Sequence, residues 1–224
     1  MSTKKIILFD MDDTLVFTID TGFKRVNYSL EKMDIPKITF QHFNKVYGHI
    51  PFPECISEWG ISKDESETFL YYYEKSKEFI KYTSIVNMEE ILNLIKENNL
   101  LIGIVSNTPN YKIEKKFNEV NFDKNDFDCI YCDAKKPSGD SILLALHDLD
   151  IQLQNAVYIG DSMVDYLAAK QAGIDFLGVL TGNTSRADFL QAGLFSSEIL
   201  PEVNSFNLSK VIENHFLQEE SSYE

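Results

Sequence analysis

The chain has 224 residues, 44% of them hydrophobic, which is enough apolar material to bury a core and argues against a disordered chain. Its formal net charge of −14, with no basic stripe along it, argues against nucleic acid and anionic membranes as partners, because both are bound through clustered Lys and Arg. A small anionic substrate is still permitted, since a bound divalent cation and one placed lysine make a site locally positive inside an acidic protein.

Lys4 and Lys5 lead into an apolar stretch of about five residues, too short for a secretory core or for a membrane span of roughly 20 residues. A cytoplasmic location is therefore expected. That first run, residues 5–10, ends in a carboxylate, the pattern of a buried parallel strand whose end opens into a site. Between residue 15 and about residue 84 no strong β pattern occurs. Helical stretches at 21–32 and 63–82, with a GHIPFP loop at 48–53, predict an inserted helical module. Beyond it, apolar runs at 100–106, 128–132, 156–161 and 174–180 alternate with helical patterns. The expected fold class is α/β, a doubly wound parallel sheet.

Helix starts punctuate this alternation. Asn87 with Glu90 reads as a capping box, Thr108 as a cap before Pro109, and Ser162 with Asp165 as a second box whose helix stops at Gly173. Residues 218–224 read as a frayed acidic tail. Three cysteines, Cys55, Cys129 and Cys132, are an odd, sparse set that suits a reducing compartment. The Cys129–Cys132 spacing lies in an apolar run and reads as core packing, with redox or metal chemistry as the alternative.

Four clusters stand at or just beyond predicted strand ends. Asp10 and Asp12 are two apart, so both can face one small volume; the bland alternative is a turn capped by carboxylates. Ser106, Asn107 and Thr108 bring a hydroxyl and backbone amides to a helix N-terminus, either as a phosphate cradle or as an ordinary cap. Lys136 precedes Pro137, which keeps it extended and able to reach over the strand ends; a solvated lysine is the alternative. Asp161 sits at a strand-to-helix turn in a place matching Asp10, which favours shared metal ligation, and Asp165 either supports it or only caps the helix. The C-terminal edge of an open α/β sheet is where such folds place ligands, and all four clusters fall there.

With DMDDTL, SN, KKP and GDSMVD in this order across residues 10–165, the sequence resembles the haloacid dehalogenase superfamily of phosphatases and phosphotransferases, and more loosely so through IDFLGVLTGN. The resemblance implies a Rossmann-like catalytic core of residues 1–15 and 85–224 and a helical cap of residues 16–84. It also implies Mg²⁺ as cofactor and a small phosphorylated metabolite as substrate, with phosphoglycolate the first expectation. Asp10 would attack phosphorus to give an aspartyl-phosphate, and Asp12 would protonate the leaving oxygen and later activate water. Metal would be held by Asp10, the Asp12 carbonyl and Asp161, with Asp165 behind them. Ser106 and the Asn107 amide would bind the phosphoryl group, and Lys136 would neutralise charge.

Three departures from the pattern stand out: Asp13 where glycine is common, Phe17 where an acidic residue is common, and Gly139 where a second proline is common. A β-phosphoglucomutase-like phosphotransferase and a non-enzymatic binding protein on the same fold are the alternative functions. Lys24, Arg25 and His49 of the helical module are candidates for a substrate's anionic tail or for plain surface. His42, His147 and His215 show no metal spacing, and Tyr71, Tyr72 and Tyr73 cannot all face one core. A monomer or a homodimer is expected.

Overall fold

A computed structural model describes residues 4–217; the expected acidic tail, 218–224, lies outside the described residues. In chain order the strands are β1 (Ile6–Phe9), β2 (Val16–Phe17), β3 (Thr83–Ser84), β4 (Leu101–Val105), β5 (Cys129–Tyr131), β6 (Ala156–Gly160), β7 (Asp175–Val179) and β8 (Ile199–Leu200). The helices are α1 (Ile19–Lys32), α2 (Phe40–Asn44), α3 (Phe52–Glu58), α4 (Ser66–Ser76), α5 (Met88–Glu97), α6 (Asn110–Val120), α7 (Asp140–Leu149), α8 (Met163–Ala172), α9 (Arg186–Ala192) and α10 (Ser205–Ile212). Among the described residues, no helix is long and apolar enough to cross a membrane.

The described chain divides into two compact units, one built from the segments up to Val16 and from Ser84 onward, the other from Phe17–Thr83. The first unit holds a six-stranded parallel sheet in the order β5-β4-β1-β6-β7-β8. Counting only its own strands along the chain, that order is 3-2-1-4-5-6, the doubly wound arrangement. Strands β1 and β6 are buried along their whole length, which is why they read as continuous apolar runs rather than as alternating ones. Ile6, Leu8, Tyr158, Ile142, Ala168 and Phe176 belong to one apolar cluster of this unit. The register pairs Phe9 with Ile104 on one side and with Ile159 on the other, so β1, β4 and β6 end level with one another.

The second unit is helical, from α1 to α4, around a core that includes Val26, Leu30, Phe43, Trp59 and Phe69. Phe43 and Trp59 stack with ring centroids 5.4 Å apart. Tyr73 is buried there while Tyr71 is exposed, so the three consecutive tyrosines do split between faces. The helix expected over 63–82 is shorter, Ser66–Ser76, because tighter turns follow it: Lys77 N–H bonds to Glu74, Glu78 to Lys75 and Phe79 to Ser76. The GHIPFP loop is also shorter than expected. Gly48 adopts a positive φ of 82°, but Pro51 precedes a helix that already contains Pro53.

Two expected caps differ. Asn87 does precede α5, yet its amide donates to the Glu90 side chain at 2.8 Å instead of capping the backbone. Pro109, not Thr108, stands immediately before α6, and the Thr108 hydroxyl goes elsewhere. The Ser162–Asp165 box is present, and Gly173 ends α8 with φ 76°.

Candidate active site

The three level strand ends set the site. Asp10 extends β1 by one more ladder bond, its N–H donating to the Ile159 carbonyl at 2.8 Å; Ser106 extends β4 in the same way toward Tyr131 at 2.9 Å. Asp161 follows β6, and Asp165 stands in the first turn of α8. Asp10, Ser106, Lys136, Asp161 and Asp165 are all buried, at the point where the sheet's strand order reverses.

Lys136 is the hub. Its Nζ lies 2.6 Å from Asp10 Oδ1, 2.5 Å from Asp165 Oδ1 and 2.8 Å from the Tyr158 hydroxyl, so all three ammonium protons have acceptors. Tyr158 can accept there because it donates onward to the Val105 carbonyl at 2.7 Å. The lysine backbone is gripped separately by Asn107, whose Oδ1 accepts from Lys136 N at 2.6 Å and whose Nδ2 donates to its carbonyl at 3.2 Å. The Asn107 side chain thus couples the end of β4 to Lys136, while Ser106 Oγ accepts from Thr108 N at 3.2 Å.

Asp165 is fully engaged by protein. Oδ1 meets Lys136, and Oδ2 accepts from Ser162 N at 3.1 Å and Ser162 Oγ at 2.5 Å. Helix cap and site support, posed as alternatives by the sequence, are here the same carboxylate. Asp161 accepts from Thr14 Oγ1 at 3.2 Å. Gly182, in the loop after β7, leaves room for it: a β-carbon at that position would fall 1.7 Å from Asp161 Oδ2. Asp13, at the departure from glycine, keeps the positive φ of 55° that glycine would favour, and its carbonyl accepts from Thr181 Oγ1 at 2.5 Å. Gly139 sits where a β-carbon would press within 2.7 Å of the Ala172 amide on α8.

Negative charge exceeds positive at this cluster. Burial first, then Asp165 and Asp12, push the Asp10 carboxyl up to about 7 against the pull of Lys136. Asp161 is raised well above the usual carboxylate range by burial and by Asp165, Asp10 and Asp13. Burial alone would lower the Lys136 ammonium, but Asp10 and Asp165 more than reverse this, so it stays charged. Oxygens of Asp10, Asp161 and Asp165 lie within 4.8 Å of one another. Hard oxygen donors crowded with uncompensated charge fit a divalent cation, and Asp10 and Asp161 are the better placed to offer an oxygen because Asp165 is already engaged at both.

Asp12 is brought to the same strand ends, with its side chain 28% exposed. Its Oδ2 accepts from Thr108 Oγ1 at 2.5 Å, and its Oδ1 pairs with Lys116 of α6. Sequence reasoning placed Thr108 in a helix cap or a phosphate cradle and gave no separate role to Lys116, Tyr158, Thr14 or Gly182. Lys116 carried a signal: it falls on the stripe of Ile113 and Phe117 that turns inward.

The candidates of the helical unit are dispersed. Lys24 is exposed and pairs with Asp20 at 2.6 Å, and His49 is exposed. Arg25 is a correction on both counts, neither surface nor open to a substrate's tail. It is 1% exposed, donates to the Ile80 carbonyl through Nε at 3.1 Å and Nη2 at 2.7 Å, and lies over the Tyr82 ring at 4.4 Å. Cys129 packs against the sheet core, and both it and Cys132 are free thiols.

The family model described as haloacid dehalogenase-like hydrolase matches residues 7–179. A protein of Caldanaerobacter subterraneus subsp. tengcongensis, provisionally named as the pyrophosphatase PpaX, is 28% identical over 180 residues, covering 77% of this chain and 80% of its own. A phosphoglycolate phosphatase of Colwellia psychrerythraea is 27% identical over 213 residues, covering 86% and 92%. Among solved structures, a protein of Thermotoga maritima provisionally named as a β-phosphoglucomutase matches with a TM-score of 0.75 at 22% identity, over 94% of this chain and 99% of that one.

Proposed function

Because the chain belongs to the haloacid dehalogenase-like hydrolases, we propose that it is a Mg²⁺-dependent phosphatase that hydrolyses a small phosphomonoester through an aspartyl-phosphate. The observation that carries this reading is the buried Asp10–Lys136–Asp165 chain beside Asp161, with Asp12 two residues beyond Asp10. Asp10 is the nucleophile: its oxygen bonds to phosphorus as the ester P–O bond breaks, and the leaving oxygen takes a proton from Asp12. Asp12, now a carboxylate, takes a proton from water, whose oxygen attacks phosphorus and releases phosphate and Asp10. Lys136 neutralises Asp10 as the anionic phosphoryl group approaches, and Ser106 with the Asn107 amide binds its oxygens. Asp10, the Asp12 carbonyl and Asp161 would hold Mg²⁺, which when bound supplies Lewis-acid neutralisation of phosphoryl oxygens. Asp165 fixes Lys136 from behind.

Phosphoglycolate is the first substrate to test and pyrophosphate the second, following the names of the two relatives above. The helical unit Phe17–Thr83 serves as a cap that sets specificity. The protein works in the cytoplasm as a monomer or homodimer. The test is phosphate release from phosphoglycolate, sugar phosphates, nucleotides and pyrophosphate, with and without Mg²⁺, by wild type and Asp10→Asn. Turnover of one class, lost with EDTA and reduced at least about a thousandfold in the variant, is expected. Turnover surviving in Asp10→Asn refutes the nucleophile, and stimulation by a bisphosphorylated sugar points to a mutase.

A further inference from the structure

A lysine on the buried stripe of an amphipathic helix gives up side-chain freedom and hydration, and its charge has to be met. Lys116 is such a residue, 6% exposed on α6 between Ile113 and Phe117, and its ammonium pairs with Asp12 Oδ1. The other oxygen of the same carboxylate accepts from Thr108, in the loop that leads into α6. Asp12 is therefore held at both oxygens by donors from one loop-helix segment, while Lys136 serves Asp10 and Asp165. The two lysines divide the labour, one for the nucleophile and one for its neighbour.

We infer that Lys116 is a positioning residue that aims the Asp12 carboxylate at the oxygen to which it gives, and from which it later takes, a proton. The inference rests on the reading of Asp12 as proton carrier given above. In the first half-reaction Asp12 gives its proton to the leaving oxygen as the P–O bond breaks. The carboxylate left behind, held by Lys116 and Thr108, accepts a proton from the water that displaces Asp10 from phosphorus. Loss of Lys116 leaves Asp12 held by Thr108 alone and able to pivot about that bond, so both half-reactions slow where they need the proton and are unaffected where they do not.

Leaving groups separate this from a structural role. p-Nitrophenolate departs without a proton, whereas an alkoxide needs one. Because kcat/KM reports only steps up to release of the leaving group, Lys116→Met should lower it at least about tenfold for an alkyl phosphate and leave it within about threefold for p-nitrophenyl phosphate. With p-nitrophenyl phosphate, kcat should still fall, and stopped-flow should show a burst of one nitrophenolate per active site as aspartyl-phosphate accumulates. Lys116→Arg should restore most of the alkyl phosphate activity. Thr108→Val, which removes the other donor, repeats the test should Lys116→Met fail to fold by circular dichroism. Equal losses of kcat/KM for both substrates, or no loss for either, overturn the inference while Asp10-dependent turnover leaves the phosphatase reading standing. Wild-type protein without Asp10-dependent turnover overturns both.

Discussion

Both units bury cations, and Arg25 of the helical unit and Lys136 of the sheet unit are held by different kinds of group. In the helical unit Arg25 donates twice to the Ile80 carbonyl and lies over the face of Tyr82, two groups that carry no net charge. In the sheet unit Lys136 meets two carboxylates, with Asp161 adding a third nearby, so that adding the lysine still leaves negative charge in excess. Burial by itself therefore does not mark chemistry. An imbalance retained inside a well-packed region does, because it costs stability unless something from outside corrects it.

The contrast is sharpest at Lys136. Lys136→Met should lower turnover at least about a hundredfold and also destabilise the fold, because Asp10 and Asp165 lose their shared counter-charge. Thermal melts should show that this loss is greater at pH 8 than at pH 5, where the Asp10 carboxyl is protonated and repels less. A variant as stable as wild type at both values would mean that the cluster is not strained by its charge.

At Arg25 the expected effect is on stability alone. Arg25→Met strands the Ile80 carbonyl and should cost about 1–3 kcal/mol in urea titration. Its kcat/KM, measured well below the melting temperature, should stay within about threefold of wild type. A rise of tenfold in KM for an anionic substrate, with stability unchanged, would break the comparison and return Arg25 to the substrate.

The smallest effect concerns cations and pH. With Asp10 pushed up to about 7, the folded metal-free protein holds a proton that the unfolded chain releases near 4. Between those values the folded state binds more protons, so this group's contribution to stability declines as pH rises from about 4 to about 7 and does not return above it. A divalent cation can take the proton's place only once the carboxyls ionise. Millimolar Mg²⁺ should therefore raise the melting temperature by several degrees at pH 8 and by little at pH 5.5. An equal shift at both would place the bound cation away from Asp10.

The strand ends were legible because an apolar run has to stop where the chain turns to solvent or to a ligand, and Asp10, Ser106 and Asp161 stand at those stops. Lys136 was legible through Pro137. Thr108 was misread because a hydroxyl before a helix has two suitors, an amide two residues on or a carboxylate 96 positions back, and local pattern sees only the first. Lys116 shares its helix with Lys112 and Lys115, and its place on the stripe of Ile113 and Phe117 marks it as the one that turns inward, but the carboxylate it meets lies 104 positions back in the chain. Arg25 was hidden for a related reason: the carbonyl that meets it lies 55 residues further along the chain. β8 is two residues long, below the length at which periodicity carries information.

Gly182 bears on how this scaffold could be re-engineered. With 1.7 Å between a would-be β-carbon and Asp161 Oδ2, the loop after β7 is a mould for that carboxylate, and position 182 is not a design variable. Libraries that diversify all loops at the sheet's rim would lose their members with side chains there before any new specificity could be read. Diversity is better drawn from Phe17–Thr83, which has an aromatic core of its own to carry surface changes.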